Sequence, residues 1–138
     1  EIEAPVLYLR REFSQDSGGA GYWRGGLGQV LEYKVLGKNP LFHHTSQKSV
    51  IPPQGMMGGM AGDGGGWYIN RGTPAERKLE YAIGDVEFLD TGDVVTHISP
   101  GGGGYGNPLE RDREQVRRDI EADFISREAA EKLYGYSF

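Results

Sequence analysis

The chain contains no cysteine. That absence removes disulfide staples and thiolate metal ligands, and fits a reducing compartment, the cytoplasm. No apolar run approaches the roughly 18 residues that a membrane-crossing helix needs, so no membrane partner is expected. Basic residues are in the minority, 15 against 20 acidic ones, for a net charge of −5. Binding to nucleic acid relies on a basic surface that neutralises phosphates, so nucleic acid is not an expected partner. Hydrophobic residues are also sparse, at 37%. Fifteen aromatics partly compensate, because each can bury a large area. The expected core is modest, and completed by another chain. A length of 138 residues suits one domain. The sequence opens Glu1-Ile2-Glu3 with neither methionine nor a signal-peptide pattern. It reads as a fragment, a processed piece, or a chain shortened at its start.

What the chain has in excess is glycine: 23 residues, roughly 17% against about 7% in average proteins. Three clusters hold most of them: Gly18, Gly19, Gly21, Gly25, Gly26 and Gly28; Gly55, Gly58, Gly59, Gly62 and Gly64 to Gly66; and Gly101, Gly102, Gly103, Gly104 and Gly106. Glycine costs more backbone entropy on folding than any other residue. Such density is sustainable only where backbone approaches backbone or ligand, or where φ is positive. Tyr22, Trp23, Trp67 and Tyr105 are interleaved with these clusters. Left in water they would expose much apolar area, so the clusters are expected to be ordered and their aromatics packed away.

The pattern along the chain predicts strands over 5–13 and 29–36, a short strand or loop in 41–50, and further strands over 67–70, 78–82, 85–89 and 93–98. After Pro108 the character changes. Residues 109–122 lack glycine and proline, and Val116, Ile120 and Phe124 recur on one face of an amphipathic helix. Ser126 is placed to cap a second helix whose inner face is Ala129, Ala130 and Leu133, with Gly135 at its end. The fold class is therefore mainly β with glycine-rich, extended, polyproline-II-like segments, plus a C-terminal helical hairpin. The organisation is a β and glycine-loop region, 1–107, with the hairpin, 108–138, packed on it as one domain.

Candidate chemistry is thin. No G-x-x-x-x-G-K-S/T and no G-x-G-x-x-G opening a helix is present. The glycine runs therefore read as structural segments in which only hydrogen fits between neighbouring backbones, and Gly101, Gly102, Gly103 and Gly104 are taken as such a loop. His43 and His44 are adjacent and would face opposite sides of a strand, and His97 stands alone, so no metal ligand is assigned. Asp63, Asp85, Asp90 and Asp93 lie in turn-like contexts that use aspartate for local backbone donors. No catalytic residue can be named. Arg24 is the one charged residue singled out. It lies between Trp23 and Gly25-Gly26, where small neighbours admit a planar guanidinium to a carboxylate, a phosphate or another chain. The alternative is an arginine that satisfies loop carbonyls. Arg24, Trp23, Gly25 and Gly26 thus form the candidate substrate-binding or interface set.

These elements carry a resemblance. DSGGAGYWRGGLG at 16–28 resembles the D-S-G-G-A-G-x-x-R-G-G-x-G signature of the hydantoinase B/oxoprolinase family. PPQGMMGGMAG at 52–62 resembles its P-x-G-x-x-G-G-x-x-G element, and TGDVVTHISPGGGGYGNPLERD at 91–112 its glycine-tyrosine element ending in P-x-x-R-D. The tail also fits, with V-x-x-D-I at 116–120 followed by S-x-E-A-A. One departure is Ala122-Asp123-Phe124, where the family usually has a glycine, which bears on the inter-helix turn.

The resemblance implies the C-terminal part of a longer B subunit. It implies ATP-dependent opening of cyclic amides such as hydantoins or 5-oxoproline, or a related ketone carboxylation. A companion A-type subunit would phosphorylate the carbonyl oxygen, and the B part would act on the activated intermediate, in some members with a divalent metal. Implied partners are the larger N-terminal B-type part and the A-type ATP-binding subunit, in a hetero-oligomer. The family's metal ligands lie in that N-terminal part, so none is carried over, and no cofactor is expected on this chain. Three readings stand: part of an amidohydrolase that is inactive alone, a subunit of a ketone carboxylase, or a non-catalytic scaffold.

Overall fold

The β-prone runs form seven strands in the computed structural model, which describes residues 5–45, 48, 50–79 and 86–138. They are β1 (Val6–Phe13), β2 (Gln29–Val35), β3 (Leu41–His43), β4 (Gly66–Ile69), β5 (Arg77–Leu79), β6 (Val86–Phe88) and β7 (Val94–Ile98). Residues 80–82 of the strand expected over 78–82, and Asp85, lie outside the described residues. Five strands build an antiparallel sheet in the order β1-β2-β7-β4-β5, and β3 pairs with β6.

Register decides which side chains meet. Leu31, His97 and Trp67 align across β2, β7 and β4, and Tyr33, Val95 and Ile69 form the next row. Successive residues alternate faces, so these rows share one face of the sheet. That face carries the buried cluster of Val35, Ile69, Leu79, Leu89 and Val95, with Tyr33, Phe42 and Trp67 packed against it. Phe42 from β3 meets the Trp67 ring edge-on at 5.3 Å.

The C-terminal segment is helical, but not as one helix from residue 109. A 3-10 turn at Pro108–Glu110 comes first, then α1 (Arg113–Glu121) and α2 (Arg127–Tyr134). Two side-chain caps cause the break. Asn107 accepts from the Leu109 amide, and Asp112 from the Gln115 amide. Each restarts the backbone locally, which an uninterrupted ladder cannot accommodate. Phe124 consequently lies beyond the end of α1 rather than on its apolar face; it meets Phe13 edge-on instead. Ser126 caps α2 through the Ala129 amide, and Gly135 ends it with φ of 57°. Asp123 has φ of 55°, so the left-handed turn is made without the family's glycine. A second buried cluster joins Ala20 of the first glycine segment to Val116, Ile125, Ala130 and Tyr134.

The three glycine clusters lie against one another through backbone. The amides of Gly101, Gly102 and Gly104 donate to the carbonyls of Asp63, Gly26 and Met60 at 3.0, 2.8 and 2.8 Å. Gly19 donates to Gly102, and Met60 to Ala20, at 2.8 and 2.7 Å. The segment 101–106 thus sits between the first two clusters. Close approach, not positive φ, is what its four-glycine run requires, since none of Gly101 to Gly104 has positive φ. A Cβ at Gly101, Gly103 or Gly104 would stand 1.8, 2.0 or 2.2 Å from a backbone carbonyl oxygen of Ser17, Gln54 or Ala20. At Gly102 the nearest atom would be 3.1 Å away.

The run is therefore not uniform. Gly101→Ala, Gly103→Ala and Gly104→Ala should each destabilise the chain by about 3 kcal/mol or more, since rigid backbone must move. Gly102→Ala should cost about 1 kcal/mol. Chemical denaturation of the four variants checks this ordering, and equal losses at all four would contradict it.

Candidate functional site at the glycine–helix junction

Arg24 leaves the first glycine segment and reaches α1, 95 residues away in sequence. Its Nε and Nη2 donate to the two carboxylate oxygens of Asp119 at 3.1 and 3.2 Å, a fork on a carboxylate. Its Nη1 donates to the Gly25 carbonyl at 2.8 Å. Arg24 thus satisfies a loop carbonyl, as the alternative reading has it, and also forks on a carboxylate. The carboxylate is the chain's own. The guanidinium also lies over the Phe124 ring, 5.4 Å from its centroid.

A second arginine shares that acid. Arg111 donates from Nη2 to Asp119 at 2.9 Å and from Nη1 to the Tyr22 carbonyl at 2.9 Å. The side chains of Arg24, Arg111 and Asp119 are 13%, 8% and 10% exposed. Two cations and one anion are therefore held together where water is scarce. Arg111 Nε is buried and without a hydrogen bond among the described residues.

Sequence reasoning did not assign Asp119 or Arg111. The available signal was Asp119 three residues after Val116, an acid on the apolar stripe of an amphipathic helix. The rest of the signature is used the same way. Asp16 accepts from the Ser126 amide at 2.7 Å, joining the first motif to the start of α2. The Ser17 hydroxyl accepts from the Gly28 amide at 2.9 Å and donates to the Ser14 carbonyl at 2.5 Å.

The other candidates separate. Gly25 is sterically required, because its Cβ would stand 2.0 Å from the Gly102 carbonyl oxygen; a Cβ at Gly26 would meet nothing. Trp23 exchanges backbone hydrogen bonds with Tyr105, both 2.9 Å. Its ring is 56% exposed and meets Tyr22 edge-on at 5.0 Å. The expected burial of the interleaved aromatics thus fails at Tyr22, Trp23 and Tyr105, whose rings stay open beside Met56. Extended backbones at this spacing leave no room for rings between them, so the rings project outward. Trp67 alone is packed.

His43 is exposed and His44 buried, as opposite faces of a strand require. His97 stacks on Trp67 with centroids 3.9 Å apart. Burial pushes its imidazole below the ordinary value. Asp93 is a turn residue: it accepts from the Asp90 amide and from the Asn70 side chain, both at 2.9 Å. Among the described residues no group of three or more His, Asp or Glu converges as a metal site. An apolar groove of about 380 Å³ runs beside Tyr8, Leu31, Tyr33, Phe42 and Trp67. Burial raises the Tyr33 hydroxyl to about 12, so it stays protonated there. No helix among the described residues is long and apolar enough to cross a membrane.

The arrangement holds α1 against the first glycine segment. Residues 1–108 match the hydantoinase B/oxoprolinase family, and the chain belongs to it. It is 35% identical over 97% of its length to the uncharacterized protein MJ0963 of Methanocaldococcus jannaschii, covering 23% of that protein. It is 32% identical over 98% of its length to the caprolactamase subunit beta of Pseudomonas jessenii, covering 24% of it. The crystal structure of the ATP-dependent caprolactamase from that organism superposes with a TM-score of 0.79 at 28% identity, over 99% of this chain and 24% of that one. The nucleotide-free acetone carboxylase shares the fold, with a TM-score of 0.74 at 23% identity. The chain thus spans about a quarter of the length of these relatives.

Two measurements test this junction. Asp119→Ala strands two guanidiniums and should cost about 3–5 kcal/mol, whereas Arg24→Ala leaves Arg111 and Asp119 as a matched pair and should cost about half as much. Denaturation of both variants, with Arg24→Lys to separate charge from fork geometry, checks the order. For His97, the unfolded chain binds its proton before the folded chain does. Stability should therefore fall as pH drops through the ordinary imidazole value near 6.5. His97→Gln should flatten that part of the stability–pH profile, and an unchanged slope would count against the assignment.

Proposed function

We propose that the chain is the C-terminal part, or a small subunit, of an ATP-dependent cyclic-amide hydrolase of the hydantoinase B type, active only with other chains. The observation that carries this reading is the caprolactamase likeness, in which almost the whole of this chain corresponds to one quarter of a longer polypeptide. An amide carbonyl is a poor electrophile. Phosphorylating its oxygen creates a leaving group, which is the use such an enzyme has for ATP. A ketone carboxylase would use ATP differently, since its ketone must act as a carbon nucleophile through the enol form; it is the second reading because acetone carboxylase shares the fold.

Three of the four amides in the Gly101–Gly104 run already donate to backbone carbonyls, so they make no phosphate cradle. We assign ATP to an A-type subunit, and any divalent metal to the larger B-type part. On this reading the assembly is hetero-oligomeric and cytoplasmic.

Within it, the glycine segments act as polyproline-II-like rods, supported by their extended, backbone-to-backbone contacts. Regions 1–107 and 108–138 act as one folding unit, supported by the cluster that joins Ala20 to α1 and α2. Arg24 acts as a positioning residue that seats α1 on the glycine layer. Trp23, exposed beside Tyr105 and Met56, is the interface candidate, since exposed aromatics and methionines are typical anchors of protein contacts.

The purified 138-residue chain should therefore show no ATP or cyclic-amide turnover. The native assembly should have a mass several times larger and include an A-type subunit. Mass spectrometry of the intact assembly, with phosphate release from both preparations, tests this. ATP turnover by the isolated chain, abolished by a point substitution within it, would overturn the reading.

A further inference from the structure

The cross-strand row that contains His97 has a basic end. Arg11 of β1 stands opposite Leu31, and Leu31 opposite His97. Strict alternation from Tyr8, which is opposite Tyr33, would send Arg11 to the other face of the sheet. The register slips by one residue between Tyr8 and Arg10, and that bulge brings Arg11 round to the His97 face. Bulges re-aim side chains in this way beside binding sites. Arg11 and His97 line one pocket of about 340 Å³ with Gln29, Leu31 and Ser99.

Among the described residues the pocket is lined by donors and no acid. Neither the Arg11 nor the His97 side chain makes a hydrogen bond or ion pair with a described residue. His97 stacks on Trp67, and the other titratable group against that indole is His44, 6.3 Å away. The Ser99 hydroxyl accepts from the Gln29 amide at 2.7 Å, while its own hydrogen has a 3.5 Å contact with the Gln29 carbonyl, too long for a strong bond. The neighbouring acids are turned away: Glu12 alternates to the opposite face and pairs with Arg10, and Glu32 accepts from Thr96.

A guanidinium and an imidazole in a concavity without a carboxylate suit a ligand that brings one. The adjoining surface selects its class. The apolar groove of about 380 Å³ shares Leu31 with this pocket and continues past Tyr33, Phe42 and Trp67. Both volumes suit a small molecule with an apolar body and one polar head. Tyr8 also borders both; it has contacts of its own and is not assigned as a donor.

We propose that this pocket binds a small carboxylate, whose oxygens are held by Arg11 and His97 and whose apolar body lies along the groove beside Leu31. The site belongs to this chain and goes beyond the functional reading above, on which it does not depend. Opening a cyclic amide generates a ligand of this class.

Binding and protonation are linked. Burial holds the His97 imidazole below its ordinary value. A bound carboxylate favours the charged ring, so it should move the titration of His97 upward, and affinity should rise as pH falls through the ordinary imidazole value. NMR titration of the purified 138-residue chain tests this, with hexanoate as the probe and acetate and hexanamide for comparison. Hexanoate should shift the resonances of Arg11, Gln29, His97 and Ser99, and bind about tenfold tighter near pH 5.5 than near pH 8. Acetate lacks the apolar body and should bind about tenfold or more weaker. Hexanamide keeps the shape without the charge and should lose as much. Arg11→Gln should weaken hexanoate by about tenfold or more, and Lys78→Gln on β5 should leave it unchanged. His97→Gln should remove the pH dependence. If that variant misfolds, the His97 titration of the parent with and without hexanoate still decides.

The absence of a saturable shift at His97 overturns the proposal. Equal binding of hexanamide and hexanoate makes the groove an apolar site only, and overturns it too. Binding to the isolated chain that vanishes in the native assembly assigns the pocket to an acidic side chain of another subunit, again overturning it. The functional reading survives each of these results, because assembly mass and turnover test it separately.

Discussion

The structure depends on backbone lying against backbone with no side chain between. A Cβ at Gly19, Gly25, Gly59, Gly101 or Gly103 would fall within about 2.2 Å of a carbonyl oxygen or carbon from another segment. Only hydrogen fits at such a distance. The approach lets the amides of one segment reach the carbonyls of the next, which satisfies polar backbone that would otherwise be buried unpaired. The entropy cost of so many glycines is offset by that network rather than by a large apolar core. The two buried clusters are correspondingly small, one joining Ala20 to the helices and the other on the sheet.

Packing of this kind has few side chains to hold it in register, and the charged residues of the signature supply what is missing. Asp16 holds the start of α2, Ser17 ties Gly28 to Ser14, and Arg24 with Arg111 grips Asp119 of α1. Asp16 and Arg24 join elements 110 and 95 residues apart, whereas the Ser17 contacts are local. The motif therefore reads as a set of fasteners between the glycine layer and the helices. A buried cluster with one more cation than anion contributes little net stability unless its geometry is good. The fork of Arg24 on both oxygens of Asp119 provides that geometry.

The same economy of side chains explains the surface. Rings that cannot enter the layer project outward at Tyr22, Trp23 and Tyr105. The fold corresponds to about one quarter of the length of its relatives, and these exposed rings lie close together on it.

Local chemistry was enough to place the strands, the Ser126 cap and the Gly135 stop, because period, capping and turn residues act within a few positions. The glycine strings and the spacing of their flanking residues were enough to suggest the family. Other features depended on contacts between distant segments. Gly101, Gly102, Gly103 and Gly104 are identical letters, yet only the neighbouring backbone decides that three are obligatory and the fourth merely tight. The break before α1 came from two side-chain caps competing with one continuous helix. Arg24 could have reached outward to a ligand as easily as inward. The fold brought Asp119 to it from 95 residues away, a juxtaposition that no local pattern encodes.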